Sequence, residues 1–269
     1  MDTSERPLAV VTGASSGIGF ELARQFAGNG FDLVIAAEDA ELAGAGADLR
    51  SRAERVEEVR VDLATADGVE ELHRRIAALG RPVAALALNA GIGMGGPFTE
   101  TPLEQELRLV DLNVRSTVHL CKLVLRDMVA RNAGRILITS SIASTMPGPF
   151  QAVYNASKSF EQSFGLALRN ELKDTDVTVT LLMPGPTETE FFERADMLDT
   201  KIGTTDSQDD PADVARMGFE ALIAGKERVE AASLSTKLQG RGSRFLPDRA
   251  KALMHRGMAE PGTGDEESS

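Results

Sequence analysis

The chain has no tryptophan, one tyrosine, one cysteine and three histidines in 269 residues. Each scarcity excludes something. The single cysteine, Cys121, cannot form an internal disulfide, so a disulfide scaffold is excluded and a reducing compartment is expected. Cys121 sits in an apolar helical stretch and reads as a small packed hydrophobe. His73, His119 and His255 stand far apart without metal-ligand spacing. No metal site is expected, and all three read as surface or packing residues. No apolar run reaches roughly 18 residues, so no membrane span is expected. Residues 1–7 lack the basic and apolar regions of a secretory signal, and a cytoplasmic location is expected. Positive charge is also in deficit. Against 29 Lys and Arg stand 41 Asp and Glu, a net charge of -12, which opposes binding to nucleic acid or to anionic membranes.

What is present is a globular balance, 42% hydrophobic and 26% charged, in a chain long enough for a large core. Short, mostly apolar runs at 8–11, 33–37, 56–61, 83–88, 135–139 and 177–183 read as strands buried on both faces, and 229–232 could add a seventh. Helical patterns at 17–28, 65–78, 102–131 and 152–173 alternate with them. That alternation predicts an α/β fold, a doubly wound parallel sheet with right-handed crossovers. Residues 1–232 are expected to form one domain, 233–258 a basic, partly amphipathic helical extension of it, and 259–269 a disordered Gly-, Glu- and Ser-rich tail. Residues 187–210 are polar, carry two adjacent phenylalanines and read as a mobile excursion.

Two places in this pattern carry chemistry. Thr12-Gly13-Ala14-Ser15-Ser16-Gly17-Ile18-Gly19 follows the first strand and opens a helix. Glycines there permit a tight turn and close approach of a pyrophosphate to the free N–H groups of the helix end. Alone it is a weak signal, since any strand–helix turn uses glycine. The second place is the only tyrosine, Tyr154, with Lys158 one helical turn later and Ser141 at the end of an apolar strand. A phenol with pKa about 10 serves as a general acid or base near neutrality only if a cation holds its phenolate down. One ammonium at about 4 Å in an effective dielectric near 20 supplies about 4 kcal/mol, enough for a shift to about 7. Ser140 competes with Ser141, but alternation along a strand points the two to opposite faces. No Gly-x-Ser-x-Gly elbow surrounds Ser141, so a hydrolase nucleophile is not expected.

Taken together, Thr12-Gly13-x-x-x-Gly17-x-Gly19, Asn89-Ala90-Gly91, Asn113, Ser141, Tyr154-x-x-x-Lys158 and Pro184-Gly185 resemble the short-chain dehydrogenase/reductase family over about residues 7–232. The resemblance implies a single-domain Rossmann-type fold, a nicotinamide cofactor and hydride transfer between it and a secondary alcohol or ketone. It implies a catalytic set of Asn113, Ser141, Tyr154 and Lys158. Tyr154 would exchange the proton, Ser141 orient the substrate oxygen, Lys158 also hold the nicotinamide ribose, and Asn113 hold a water that relays protons. It places Gly13, Ser15, Gly17, Ile18 and Gly19 at the cofactor's phosphates, Asp62 and Leu63 at the adenine, and Asn89, Ala90 and Gly91 on the adenosine side. Pro184, Gly185, Thr187 and Thr189 would hold the carboxamide.

The family's NAD-type aspartate would stand where this chain has Ala37, and its NADP-type base is missing too. Glu38 and Asp39 follow instead. A carboxylate accepts ribose hydroxyls and repels a 2′-phosphate, so NAD is expected, with Glu38 as the ribose contact and NADP not excluded. Both acids could instead simply cap the following helix. Ile142, Ala143, Met146, Pro147, Gln151, Met94, Phe191 and Phe192 are candidate pocket walls, which favours an apolar small-molecule substrate. Phe160, Phe164 and Leu168 read as core packing or as the face of a homo-dimer or homo-tetramer. The competing readings are an NADPH-dependent 3-oxoacyl-thioester reductase and a non-catalytic dinucleotide-sensing protein on the same fold.

Overall fold

Seven short strands form the centre of the molecule: β1 (Leu8–Thr12), β2 (Asp32–Ala37), β3 (Val56–Arg60), β4 (Val83–Leu88), β5 (Gly134–Thr139), β6 (Val177–Pro184) and β7 (Arg228–Ala231). The computed structural model describes residues 6–205, 208–231 and 246–264; the expectations for residues 1–5, 232–245 and 265–269 lie outside the described residues. All strand pairs are parallel, in the order β3-β2-β1-β4-β5-β6-β7. The five inner strands are buried almost throughout, whereas β3 and β7 at the edges carry Glu57, Glu58, Arg60, Arg228 and Glu230. Charge at an edge discourages pairing with another chain. The strand order reverses between β1 and β4, and the crevice beyond their carboxyl ends is where such sheets bind ligands.

Helices cover both faces. One apolar cluster packs β-strand side chains against α3 (Ala66–Ala78), α5 (Thr117–Ala130) and α6 (Ala152–Glu171), with Leu72, Leu120, Val124 and Met128 at its centre. Cys121 belongs to this cluster, and burial pushes its thiol up to about 12, so it is a neutral packing group. The other cluster packs the opposite face against α1 (Gly17–Gly28) and α8 (Pro211–Ile223), where Phe26 meets Phe31 and Phe219 edge to face. The helices α2 (Leu42–Leu49) and α8 were not in the predicted set; α2 is short and rich in Ala and Gly, which hides its apolar face.

The long helix expected over 102–131 exists, but it is interrupted. After α4 (Leu103–Val110) the turn widens into a π-helix over Asp111–Ser116 before α5 begins. Asn113, a poor residue for a helix interior, sits in that widened turn.

The polar excursion is folded onto the body. It contains α7 (Phe191–Arg194) and a bridge between Thr187 and Asp209, and Gly95 N–H donates to Ala195 O at 2.8 Å. The C-terminal helix α9 (Asp248–Ala259) lies against it, with Ile202 N–H donating to Met258 O at 3.0 Å. Residues 259–264 were expected to belong to a disordered tail. They pack instead: Ala259 is buried beside Phe192, Ala195 and Met197, and Gly264 N–H donates to Asp199 O at 2.9 Å. Their composition carried no sign of the partner surface that orders them. Among the described residues no helix is long and apolar enough to cross a membrane.

Candidate active site

Every residue named from the sequence for the cofactor and the chemistry lines one cleft at the carboxyl ends of the strands, except Asn113. The cavity measures about 290 Å³. At its phosphate end, Gly13 and Gly17 adopt φ of +65° and +53°, values that side chains rarely tolerate. A Cβ on Gly19 would fall 1.9 Å from Gly13 O, so helix α1 can approach the β1 turn only through glycine. The start of α1 carries no acidic residue in its first turn, and Ser16 makes no capping bond. Free N–H groups and an uncancelled helix dipole there suit a pyrophosphate. The residues present therefore fit a dinucleotide.

The strand ends are tied together beneath that turn. Asn89 Nδ2 donates to Thr12 O (3.2 Å) and Gly13 O (3.4 Å), its Oδ1 accepts from Thr139 Oγ1 (3.0 Å), and Thr12 Oγ1 accepts from the N–H groups of Asn89 and Ala90, both at 3.0 Å. The Asn89 side chain thus links β1, β4 and β5, a structural role that its assignment to the adenosine side did not include. Thr189 packs its methyl group over Gly17, and Thr187 Oγ1 donates to Gly185 O at 3.0 Å.

The end of the cleft beside β2 and β3 holds an arrangement that the sequence reading missed. Arg108 of α4 reaches across to donate to Asp62 Oδ2 (2.9 Å), to Asp62 Oδ1 (3.2 Å) and to Glu38 Oε2. The Arg108 guanidinium holds the Asp62 carboxyl below the ordinary carboxylate range, with the Ala64 N–H assisting. Asp39 Oδ2 accepts from Ser15 Oγ at 2.8 Å, while its Oδ1 is buried without a partner. The sequence signal for Arg108 was absent, because 46 positions separate it from Asp62.

At the opposite end the side chains are buried. Tyr154, Lys158 and Ser157 lie on the inner face of α6, and Ser141 stands at the end of β5, where it caps a short 3₁₀ turn by accepting from Ala143 N–H at 3.1 Å. The two serines diverge as alternation requires: Ser140 Oγ donates to Lys158 O at 2.8 Å, and Ser141 acts on the Tyr154 phenol, whose charged form it favours. Lys158 Nζ donates to Thr139 O at 3.0 Å and lies 5.9 Å from the centre of the Tyr154 ring. Asn113 sits behind the cleft, fully buried. It exchanges bonds with the backbone of Ile92, both at 3.0 Å, and donates to Ser157 Oγ at 3.0 Å.

The expected drop of the phenol toward neutrality differs from what this site produces by itself. Burial raises the Tyr154 phenol above its ordinary value, Lys158 and Ser141 pull it down, and a second buried charge, Glu161, pushes it up again. Glu161 was not foreseen, although its spacing of three from Lys158 and seven from Tyr154 places all three on one helical face.

Six of the eight candidate wall residues line the cleft: Ile142, Ala143, Met146, Gln151, Phe191 and Phe192; Pro147 and Met94 do not. The Phe191 ring centre is 5.2 Å from that of Tyr154, and a Cβ on Gly93 would meet Phe191 Cζ at 2.4 Å. Ile202, Met258 and His255 complete this end, so α9 forms part of the wall. His255 is buried, and burial lowers its imidazole below the ordinary value against the pull of the Pro149 carbonyl.

Comparisons with known proteins agree with this geometry. A family model described as short chain dehydrogenase matches residues 7–197. Dehydrogenase/reductase SDR family member 7B of Rattus norvegicus is 31% identical over 82% of this chain and 72% of its own length. The chain spans 63%, 74% and 72% of the length of the first curated relatives it matches. Among solved structures, a short chain dehydrogenase/reductase of Burkholderia phymatum in complex with NAD superimposes with a TM-score of 0.79 at 26% identity, covering 90% of this chain and 94% of that one. A short-chain dehydrogenase of Sphingobium yanoikuyae in complex with NADPH gives 0.77 at 26% identity, covering 90% and 96%. On the strength of the family match, the fold and the assembled cleft, the chain belongs to the short-chain dehydrogenase/reductase family of NAD(P)-dependent oxidoreductases.

Proposed function

We propose that the protein interconverts a secondary alcohol and a ketone with an apolar body, with Tyr154 as the group that exchanges the proton. The observation that carries this reading is the convergence of Ser141, Tyr154 and Lys158 on one apolar-walled end of the dinucleotide cleft. NAD(P), bound along the cleft, supplies the hydride acceptor in oxidation and the hydride donor in reduction.

In the oxidation direction Tyr154 Oη takes the proton from the substrate O–H. In reduction it returns a proton to the carbonyl oxygen. Ser141 holds that oxygen against the phenol. Lys158 stabilises the phenolate through its charge and offers its ammonium to the nicotinamide ribose. Asn113 holds Ile92 and α6 in register and carries the proposed water relay to Lys158. Phe191, seated on Tyr154, excludes water from the reacting atoms. Gly13, Ser15, Gly17, Ile18 and Gly19 take the phosphates, Asp62, Leu63 and Asn89 to Gly91 the adenosine, and Pro184, Gly185, Thr187 and Thr189 the carboxamide.

NAD is the proposed cofactor, with Glu38 toward the ribose, because two acids follow β2. The unpartnered Oδ1 of Asp39 is a second acceptor for a ribose hydroxyl. NADP is the second reading, favoured by Arg108, a cation beside the ribose end that already serves Asp62 and Glu38. Assembly as a homo-dimer or homo-tetramer through the α4, α5 and α6 face and a cytoplasmic location complete the proposal. The exposed Leu103, Leu107, Val110, Val118 and Phe160 support the assembly face.

The test is turnover of a ketone and alcohol panel with NADH and NADPH. Tyr154→Phe is expected to lower kcat by about 10²- to 10⁴-fold with cofactor binding kept. Full activity in that variant would overturn the assignment of Tyr154, and tight NADPH with weak NADH binding would overturn the cofactor preference.

A further inference from the structure

Hydride transfer by Tyr154, Ser141 and Lys158 makes no demand for a second buried acid, yet Glu161 supplies one. Its side chain is 2% exposed, beside a Lys158 side chain that is 6% exposed. Glu161 Oε1 accepts a hydrogen bond from Lys158 Nζ at 3.2 Å; Oε2 stands 3.0 Å from the same nitrogen and has no other partner. An apolar residue of similar size would fill that position without the desolvation cost of a buried charge.

We propose that Glu161 is a positioning residue that sets how much of the Lys158 charge reaches Tyr154. The proposal rests on the reading of Tyr154 as the proton-exchanging group. Anionic Glu161 cancels part of the ammonium's field at the phenol and keeps the proton on it. Neutral Glu161 gives that field back. Burial raises the Glu161 carboxyl to about 7 against the pull of Lys158, so the change from one state to the other falls near neutrality. Above that point Tyr154 is held as a proton donor, the form that reduction of a carbonyl requires.

The surroundings leave this control to the pair. Lys158 is the only charge that acts on Glu161, and Lys158 and Glu161 are the only charges that act on Tyr154, among the described residues. Of the elements packed on α6, β6 and the 3₁₀ turn carry no charged residue, β5 presents Thr139 inward and Arg135 to solvent, and the π turn presents Asn113 while Asp111 pairs with Arg115. In α4, Glu106 bonds Thr101 and Arg108 bonds Asp62 and Glu38, with Glu104 exposed; at α7, Arg194 pairs with Glu190 and Glu193 is exposed.

Because Tyr154 is the only tyrosine and tryptophan is absent, the phenolate absorbance of the full chain reports this one group. Titrating it without cofactor is expected to give a midpoint above the ordinary value of about 10. Glu161→Gln keeps the shape and removes the charge, and lowers the midpoint by about one unit or more. Glu161→Asp keeps the charge and leaves the midpoint near that of the wild type. The alkaline rise of the oxidation rate shifts with the midpoint. Glu161→Met gives the same direction as glutamine and serves if that variant does not fold. A folded Glu161→Gln or Glu161→Met protein with an unchanged midpoint overturns the proposal, as does an equal shift in Glu161→Asp. Failure of the underlying reading is distinguishable, since active Tyr154→Phe would remove the role of Tyr154 while leaving the titration result intact.

Discussion

The cleft has a cation held by carboxylate at each end, and the two clusters live in different media. Arg108, Glu38 and Asp62, at the end proposed for the adenosine, have side chains 39%, 51% and 37% exposed. Lys158 and Glu161 at the chemical end are almost wholly buried. In water-like surroundings such pairs are screened and weak; in the interior they are strong, costly to assemble and sensitive to the loss of either partner. The same pairing of charges therefore does different work. At the exposed end it shapes a surface that a ligand can rearrange. At the buried end it sets the protonation of the groups beside it.

The sharpest way to break this contrast is Lys158→Met, which leaves Glu161 buried without its counter-ion. The expected loss is about 3–5 kcal/mol in denaturant unfolding at alkaline pH. It shrinks as pH falls and Glu161 takes up a proton, which begins above the wild-type value of about 7 because Lys158 no longer pulls the carboxyl down. Adding Glu161→Met to it should restore most of the loss; a double variant as unstable as the single one would contradict the ion-pair account.

A smaller effect follows from the raised Glu161 carboxyl. A group whose folded value lies above its unfolded value contributes stability that is fully present below the unfolded value and lost as pH rises through the folded one. For Glu161 that window runs from the ordinary value of 4.5 to about 7. The Tm of the wild type relative to Glu161→Gln should therefore fall across that range and level off above it. Parallel Tm curves for the two proteins would show that Glu161 does not titrate there.

The smallest effect belongs to the exposed end. Arg108→Ala should cost within about 1 kcal/mol of stability, and less in high salt. Its cofactor affinity should change more than its Tm, measured as the ratio of NADH to NADPH binding. The lowered Asp62 carboxyl adds the opposite pH sign: its contribution is present above the ordinary carboxylate range and lost as pH falls through its folded value. A stability loss for Arg108→Ala as large as that for Lys158→Met would erase the distinction between the two ends.

Much of this architecture was legible in the sequence, for a physical reason. A parallel sheet covered on both faces requires short apolar runs, and the glycine turn, Asn113 and the Tyr154–Lys158 spacing each reflect constraints local in sequence. Six strands and the possible seventh all appear, and the π turn at Asn113 matches the oddity of an asparagine within a helical stretch. What was not legible depends on long-range packing. Arg108 meets Asp62 across 46 positions, and α9, expected as a basic helical stretch, brings His255 and Met258 to the cavity wall, a placement that its local pattern did not encode. Glu161 was within reach of helical spacing, but an acid three residues from a lysine reads as a solvated surface pair until burial is known.

The π turn also gives the site a dependence on chain length that no side chain there explains. An α-helix advances about 100° per residue, and the widened turn accommodates one extra residue without breaking the rod formed by α4 and α5. Removing a single residue from 111–116 would let the ordinary helix close and would rotate one half of the rod against the other by about that angle. Either Leu120, Val124 and Met128 would leave the core or Asn113 would leave Ile92 and Ser157. The segment is thus a phase adjuster, tolerant of exchanged surface letters and intolerant of a changed count.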